Sequence, residues 1–338
     1  MKAVGLTRYL PIEDPESLMD VELDQPEANG RDLLVSVKAI AVNPVDTKVR
    51  APKANVETSP KVLGWDAAGI VEAVGPDVEL FQPGDEVFYA GDITRPGCNA
   101  EYQLIDERIV GAKPKSLGFS EAAAIPLTAI TAYEAFFDRL NLDVEGANSG
   151  ETLLIVGGAG GVGSIGIQLA KLAGLTVIAT ASRPESTAWV QKQGADHVVN
   201  HFQPLRPQIE ALGLKYIDQI ALFNNTDQHW ETAVDLIRPQ GKIVSIVENQ
   251  EPLAQSMMKT KSATFVWEFM YTRSMFTTPD MIEQHHLLNR VANWIDAGKL
   301  NCTINEILSP INAENLRAAH KTLESGRSIG KIVLQGWK

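Results

Sequence analysis

The sequence predicts an α/β protein of two domains, a mostly β first part followed by a doubly wound parallel sheet. Three observations carry this. Glu151 to Ala173 reads as strand, glycine turn and helix: the apolar run Thr152–Val156, then Gly157 to Gly163, then Ile165, Ile167, Leu169, Ala170 and Leu172 at helical spacing. Beyond it, apolar runs of strand length alternate with helical patterns, which is the βαβ rhythm of a parallel sheet. Before it, short alternating runs are separated by Gly, Pro and Asp, as in an irregular β domain.

In chain order, Lys2–Leu6 is a strand candidate and Pro11–Ser17 a turn-rich excursion. Asp32–Ile40 alternates as a half-exposed strand, and Asn43, Pro44, Val45 and Asp46 break it. Pro44 lacks a donor, and Asp46 is placed to accept backbone hydrogen bonds at the following turn. Lys53–Pro60 reads as loop; Gly69–Val74, Gly84–Tyr89 and Ala100–Ile105 read as strands. Leu127–Phe137 is helical in pattern. After the glycine unit, strands are expected at Leu175–Thr180, Val198–Val199, Ile217–Phe223, Lys242–Val247 and Ala263–Trp267. Helices are expected at Pro184–Gln193 and Thr226–Ile237. Met281–Ala297 is a long amphipathic helix, and Thr303–Ile307, Ala313–Glu324 and Lys331–Gln335 form a closing strand, helix and strand. These last elements suit completion of the first domain. The expected divisions are 1–125, 126–268 and a return segment 269–338.

A chain of 338 residues, 44% hydrophobic and 21% charged, is long enough to bury the cores of about two domains. The formal charge of −12, with no Lys/Arg cluster, argues against nucleic acid or an anionic membrane surface as partner. No apolar run reaches membrane-spanning length, and the first residues turn polar too early for a secretory signal. Only Cys98 and Cys302 are present, so no disulfide framework is expected, and the default location is cytoplasmic.

The glycine unit has the spacing of a dinucleotide site. Gly158, Gly160 and Gly163 form G-x-G-x-x-G, with Ala159, Gly161 and Val162 between them. They are placed after a strand and open a helix, where free N–H groups meet a pyrophosphate. The alternative is a glycine turn in some other α/β domain. The next strand ends Ala179, Thr180, Ala181, Ser182, Arg183, and no carboxylate follows until Glu185. An NAD site ordinarily carries an acid there for the ribose hydroxyls. Arg183 and Ser182 suit a 2′-phosphate instead, so NADPH is the expected cofactor, against the alternative of a solvated surface arginine.

Read as a whole, the chain resembles the medium-chain dehydrogenase/reductase superfamily, and within it the zinc-free quinone oxidoreductase branch, whose members are also called zinc-type alcohol dehydrogenase-like. The resemblance rests on AIAVNPVDTKVR (Ala39–Arg50), PKVLGWDAAGIVEAVGPDV (Pro60–Val78), FQPGDEVFYAG (Phe81–Gly91) and NAEY (Asn99–Tyr102). It continues in AAAIPLTAITAYEAFFDRL (Ala122–Leu140), LLIVGGAGGVGSIGIQLAK (Leu153–Lys171) and SGRSIGKIVL (Ser325–Leu334). It implies a GroES-like catalytic domain, a Rossmann domain, a cleft between them, a C-terminal return to the catalytic domain and a homodimer joined at the edge of the Rossmann sheet, for which Ala263–Trp267 is the candidate strand.

The departures from the alcohol dehydrogenase pattern bear on chemistry. Asn43 stands where that pattern has a Cys, Trp65 where it has a His, and Cys98 is alone where a structural zinc lobe has four Cys. Asn and Trp cannot replace thiolate and imidazole ligands, so no metal is expected. The resemblance implies hydride transfer from NADPH to a quinone or an α,β-unsaturated carbonyl. Asn43 is the candidate donor to the developing oxyanion, Thr128 the candidate hydrogen-bonding group near the nicotinamide or its ribose, and Tyr89 a pocket wall or proton donor. Asp46 is expected to fix its loop. Trp267, Phe269 and Tyr271 are candidates to line the cleft, the alternatives being core or dimer contact. Metal-free reduction of saturated carbonyls, and a nonenzymatic NADPH-binding structural or regulatory role, remain as alternatives.

Overall fold

The computed structural model describes residues 1–337. The chain separates into two compact units, 1–127 together with 271–338, and 128–270.

In chain order the first unit begins with β1 (Lys2–Tyr9), β2 (Met19–Glu22), β3 (Asp32–Val42), α1 (Pro44–Arg50), β4 (Lys53–Val62), β5 (Ala67–Val74), β6 (Glu86–Tyr89), β7 (Tyr102–Asp106), β8 (Val110–Ala112) and α2 (Phe119–Ala123). Across 126–270 follow α3 (Pro126–Tyr133), β9 (Thr152–Val156), α4 (Gly161–Leu172), β10 (Thr176–Thr180), α5 (Pro184–Lys192), β11 (His197–Val199), α6 (Leu205–Ala211), β12 (Ile217–Leu222), α7 (Thr226–Leu236), β13 (Ile237–Ser245) and β14 (Thr264–Trp267). The chain closes with α8 (Thr272–Met275), α9 (Glu283–Asp296), β15 (Ile304–Leu308), α10 (Ala313–Glu324) and β16 (Lys331–Gln335).

The first unit holds a sheet in the order β15-β16-β3-β5-β6-β8, with β7 also on β3, and a smaller sheet β2-β1-β4. Strand β3 is long enough to serve two partners along its length. Its first half pairs with β7 and its last four residues pair antiparallel with β16, Val42 opposite Ile332. The C-terminal segment therefore completes the sheet that carries the Asn43 turn.

The second unit is a parallel six-stranded sheet in the order β11-β10-β9-β12-β13-β14. The order turns outward from β9 in both directions, the topology at which open α/β sheets bind ligands at the carboxyl ends of their strands. All five residues of β9 are buried, as a central strand covered on both faces must be. Leu154, Ile178, Ile220, Leu222 and Ile243 from the sheet, with Trp230 from α7, form one side of its core.

One expectation fails, and one helix lacked a sequence signal. The 53–60 stretch is not loop but most of β4, an edge strand on β1 with an irregular register. Lys53 to Val56 are exposed, so backbone pairing and not apolar burial holds it, and alternation gave no signal. Helix α6 was not expected either; its seven residues contain Pro207, and only Leu205 and Ile209 are buried. The helical pattern from Leu127 also changes character: α3 ends at Tyr133 and continues as a π-helical turn, Glu134–Arg139.

Candidate active site

In the second unit the turn from β9 into α4 has the form a pyrophosphate requires. Gly157 sits at φ +87°, and its N–H donates to Thr180 Oγ1 at 3.0 Å. A Cβ on Gly163 would fall 2.3 Å from the Gly157 carbonyl oxygen, so helix and turn pack at backbone distance there. At Gly160 the nearest atom would be 3.5 Å away, ordinary contact, so internal crowding does not demand glycine at that position. Gly160 is the N-cap of α4 and offers no side chain to the helix start, which leaves N–H groups and the positive end of the helix dipole for an anion. Ala159, Gly161 and Val162 are half-buried around this turn, and Gly158 is buried against β10.

Ser182 and Arg183 follow β10 at its carboxyl end, both half-buried. Arg183 is the N-cap of α5; its N–H donates to Ser186 Oγ at 3.1 Å, and that hydroxyl donates back to the Arg183 carbonyl at 3.0 Å. The turn is thus fixed by its backbone. Thr128 lies in the first turn of α3, 1% exposed.

In the first unit the structure gathers Asn43, Asp46, Asp66 and Lys331 into one buried polar cluster. Asn43 caps α1: its N–H donates to Asp46 Oδ2 at 2.7 Å, while Pro44 fills the first helical position, where no donor is needed. The Asn43 amide is turned inward. Nδ2 donates to Asp66 Oδ2 at 3.1 Å and, at 3.4 Å, to the Ala41 carbonyl; Oδ1 accepts from the Lys331 ammonium. Lys331 also donates to the Val42 carbonyl at 3.0 Å and to Asp66 Oδ2 at 2.9 Å. The other Asp66 oxygen accepts from the Leu127 N–H at 3.0 Å, in the first turn of α3.

The electrostatics follow from burial. Asp46 is pushed up to about 7 by loss of water, against the opposing pull of the Asn43 N–H and Lys331; its Oδ1 has no hydrogen-bond partner among the described residues. Burial also raises Asp66, opposed first by the Lys331 charge. Cys98 donates to the Asp66 carbonyl at 3.5 Å, and burial holds its thiol well above the usual range. Trp65 is buried and donates to the Asp92 carbonyl at 3.1 Å, its ring edge-on to Tyr271 at 6.4 Å.

Tyr89, on β6, is fully buried, with a hydroxyl that finds no partner among the described residues; burial keeps its proton bound far above neutrality. Tyr271 is buried as well, whereas Trp267 and Phe269 are 42% and 45% exposed. Asp66 and Lys331 are the members of the cluster that motif reading passed over. The Lys331 signal was a lone lysine opening an apolar strand, Lys331–Gln335, where a solvated end is the ordinary expectation.

A family model described as the alcohol dehydrogenase GroES-like domain matches residues 29–131, and one described as zinc-binding dehydrogenase matches residues 174–334. A zinc-type alcohol dehydrogenase-like protein of Staphylococcus aureus (strain MSSA476) is 45% identical over 99% of both chains. The 2-methylene-furan-3-one reductase of Solanum lycopersicum is 31% identical, covering 99% of this chain and 79% of its own. A crystal structure from Rhizobium etli CFN 42, provisionally named a zinc-dependent alcohol dehydrogenase, superposes with a TM-score of 0.95 at 52% identity, over 100% of this chain and 98% of its own.

The zinc in these descriptions does not fit the residues here. Asn43 presents its oxygen to an ammonium, and the Trp65 ring nitrogen is a donor already committed to a carbonyl. Among the described residues no three His, Cys, Asp or Glu side chains are grouped to hold a metal. The glycine cradle, by contrast, fits a nicotinamide dinucleotide. With near-complete coverage by its relatives, both family models and these two units, the chain belongs to the medium-chain dehydrogenase/reductase superfamily of oxidoreductases, with a GroES-like domain and a Rossmann-like domain that binds a nicotinamide cofactor.

Proposed function

We propose that this oxidoreductase is zinc-independent and uses NADPH to reduce a quinone or an α,β-unsaturated carbonyl. The observation that carries the reading is the Lys331 ammonium seated between Asn43 and Asp66, in the turn region where the alcohol dehydrogenase pattern places its metal. Without a Lewis acid, an isolated ketone must concentrate charge on one oxygen, whereas a conjugated acceptor spreads it. A relative named for reduction of a methylene-furanone, an enone, supports the same class.

Reduced nicotinamide supplies the hydride when bound. The chain's own residues bind and orient. The α4 N-terminus and the Gly158–Gly163 turn receive the pyrophosphate, and Ser182 with Arg183 receive the 2′-phosphate, because no carboxylate stands at the end of β10. Thr128 hydrogen-bonds near the nicotinamide or its ribose. Asn43 acts by position: both amide hydrogens are engaged inside the cluster, so it shapes the turn and is not an open oxyanion donor. Tyr89 forms apolar wall, since its proton is held too tightly to be given up cheaply. Strand β14 is the sheet edge, with Trp267 exposed on it, and pairs with a second copy in a homodimer. Light scattering at micromolar concentration should give twice the 36.8 kDa chain mass; a persistent monomer refutes the dimer.

The test compares kcat/KM for a quinone, an enone and the matching saturated ketone, with deuterated NADPH and before and after chelator treatment. Label should reach the electron-poor carbon of the enone, and chelation should leave the rate unchanged. A saturated ketone as best substrate, or activity that needs added zinc, overturns the proposal.

A further inference from the structure

Lys331 lies 288 residues from Asn43 in sequence, yet the pairing of Val42 with Ile332 sets the two side by side. Its ammonium is 2% exposed and has three acceptors, Val42 O, Asn43 Oδ1 and Asp66 Oδ2, one for each N–H. Asp66, 0% exposed, divides its two oxygens. One receives Lys331 and Asn43; the other receives the N–H of Leu127, the residue immediately before Thr128. A carboxylate at that point accepts from a donor of the first turn of α3 and complements its dipole. Stability alone is weak ground for such an arrangement, because a buried ion pair repays its desolvation only in part and an apolar pair of similar volume is often as stable.

We propose that Lys331 is a positioning residue of the reductase site, an internal cation that orients the Asn43 side chain directly and, through Asp66, the first turn of the helix that carries Thr128. The inference rests on the reading that Asn43 and Thr128 serve the reduction. The charged and titratable groups around it are Asp46 on α1, Asp66 and Cys98 on the adjoining loops, and Tyr271; Lys331 is the cation among them. Two buried carboxyls share one ammonium, so the cluster is neutral when Asp66 is ionised and Asp46 keeps its proton.

The consequence for Lys331→Met has a definite sign. Asp66 loses the charge that opposes its upward shift and retains a proton to higher pH. In that protonated form it can donate to Asn43 Oδ1 in place of the ammonium. Above that range it becomes an uncompensated buried charge. The variant should therefore lose at least tenfold in kcat at the alkaline end of its pH profile and regain part of it toward the acid end, with acceptor KM changed less than threefold. The wild type should show no such recovery. Lys331→Met with Asp66→Asn removes both charges and keeps an acceptor for Leu127; it should fold, lose the pH dependence and remain slow.

A second readout needs no turnover. In protein labelled with 15N-asparagine, the Asn43 side-chain amide, assigned by its loss in Asn43→Asp, should be a slowly exchanging signal in the wild type and move and exchange faster in Lys331→Met. If no acceptor is turned over by the wild type, the functional reading fails while this measurement still judges the positioning role. An Asn43 signal that is unchanged in Lys331→Met overturns the proposal, as does a variant whose only change is a lower melting temperature with kcat and its pH profile intact.

Discussion

Replacing Asp46 by Asn should change the pH dependence of stability in a direction fixed by burial. The Asp46 carboxyl is raised from 3.8 to about 7 in the folded chain. Because the folded pKa lies above the unfolded one, the native state holds a proton between about pH 4 and 7 that the unfolded chain has released. Stability therefore falls as pH rises through that window and is flat above it. At 1.36 kcal/mol per unit, a displacement of about 3 units corresponds to about 4 kcal/mol lost between the two limits, as an upper figure. Asparagine has no proton to lose, and its Oδ1 can still accept from the Asn43 N–H, so the cap of α1 survives. Urea unfolding of both proteins at pH 5, 6, 7 and 8 gives the difference in stability at each pH, in which contributions common to both cancel. The wild type should gain on the variant as pH falls, by about 2–3 kcal/mol between pH 8 and pH 5. A difference independent of pH would show that Asp46 is ionised throughout, and the account of the cluster as neutral, with Asp46 holding its proton beside an ionised Asp66, would have to be abandoned.

Removing Arg183 (Arg183→Ala) should weaken NADPH by ~10–100-fold, the range expected for losing hydrogen bonds to a charged phosphate, and change NADH by less than threefold; calorimetric titration of both cofactors decides, and equal losses would count against a 2′-phosphate contact. Gly163→Ala puts a Cβ 2.3 Å from the Gly157 carbonyl oxygen, and the turn must shift to admit it. Overpacking of this kind costs about 1–3 kcal/mol, so a lower melting temperature and weaker binding of both cofactors are expected, whereas unaltered binding would show that the turn is not the cradle.

What the sequence revealed, and what it withheld, divides along local and non-local physics. The parallel sheet was legible because β9 and its neighbours are buried on both faces and read as continuous apolar runs, and because the glycine turn is a contiguous local signal. Strand β4 was illegible because its stability comes from backbone pairing with β1 and leaves no apolar alternation. At the candidate site, Asn43 and Asp46 could be read as a turn with an acceptor three residues on, since a capping box is local. The orientation of the Asn43 amide could not be read, because it is decided by Asp66 and by Lys331. One lies 23 residues away in sequence and the other 288. The same separation explains why the chain must return to its first unit. Without β16 the Asn43 turn would bury an amide oxygen, a backbone carbonyl and a carboxylate without the ammonium that satisfies all three, and the desolvation cost of those groups would fall on the turn that the proposed chemistry depends on.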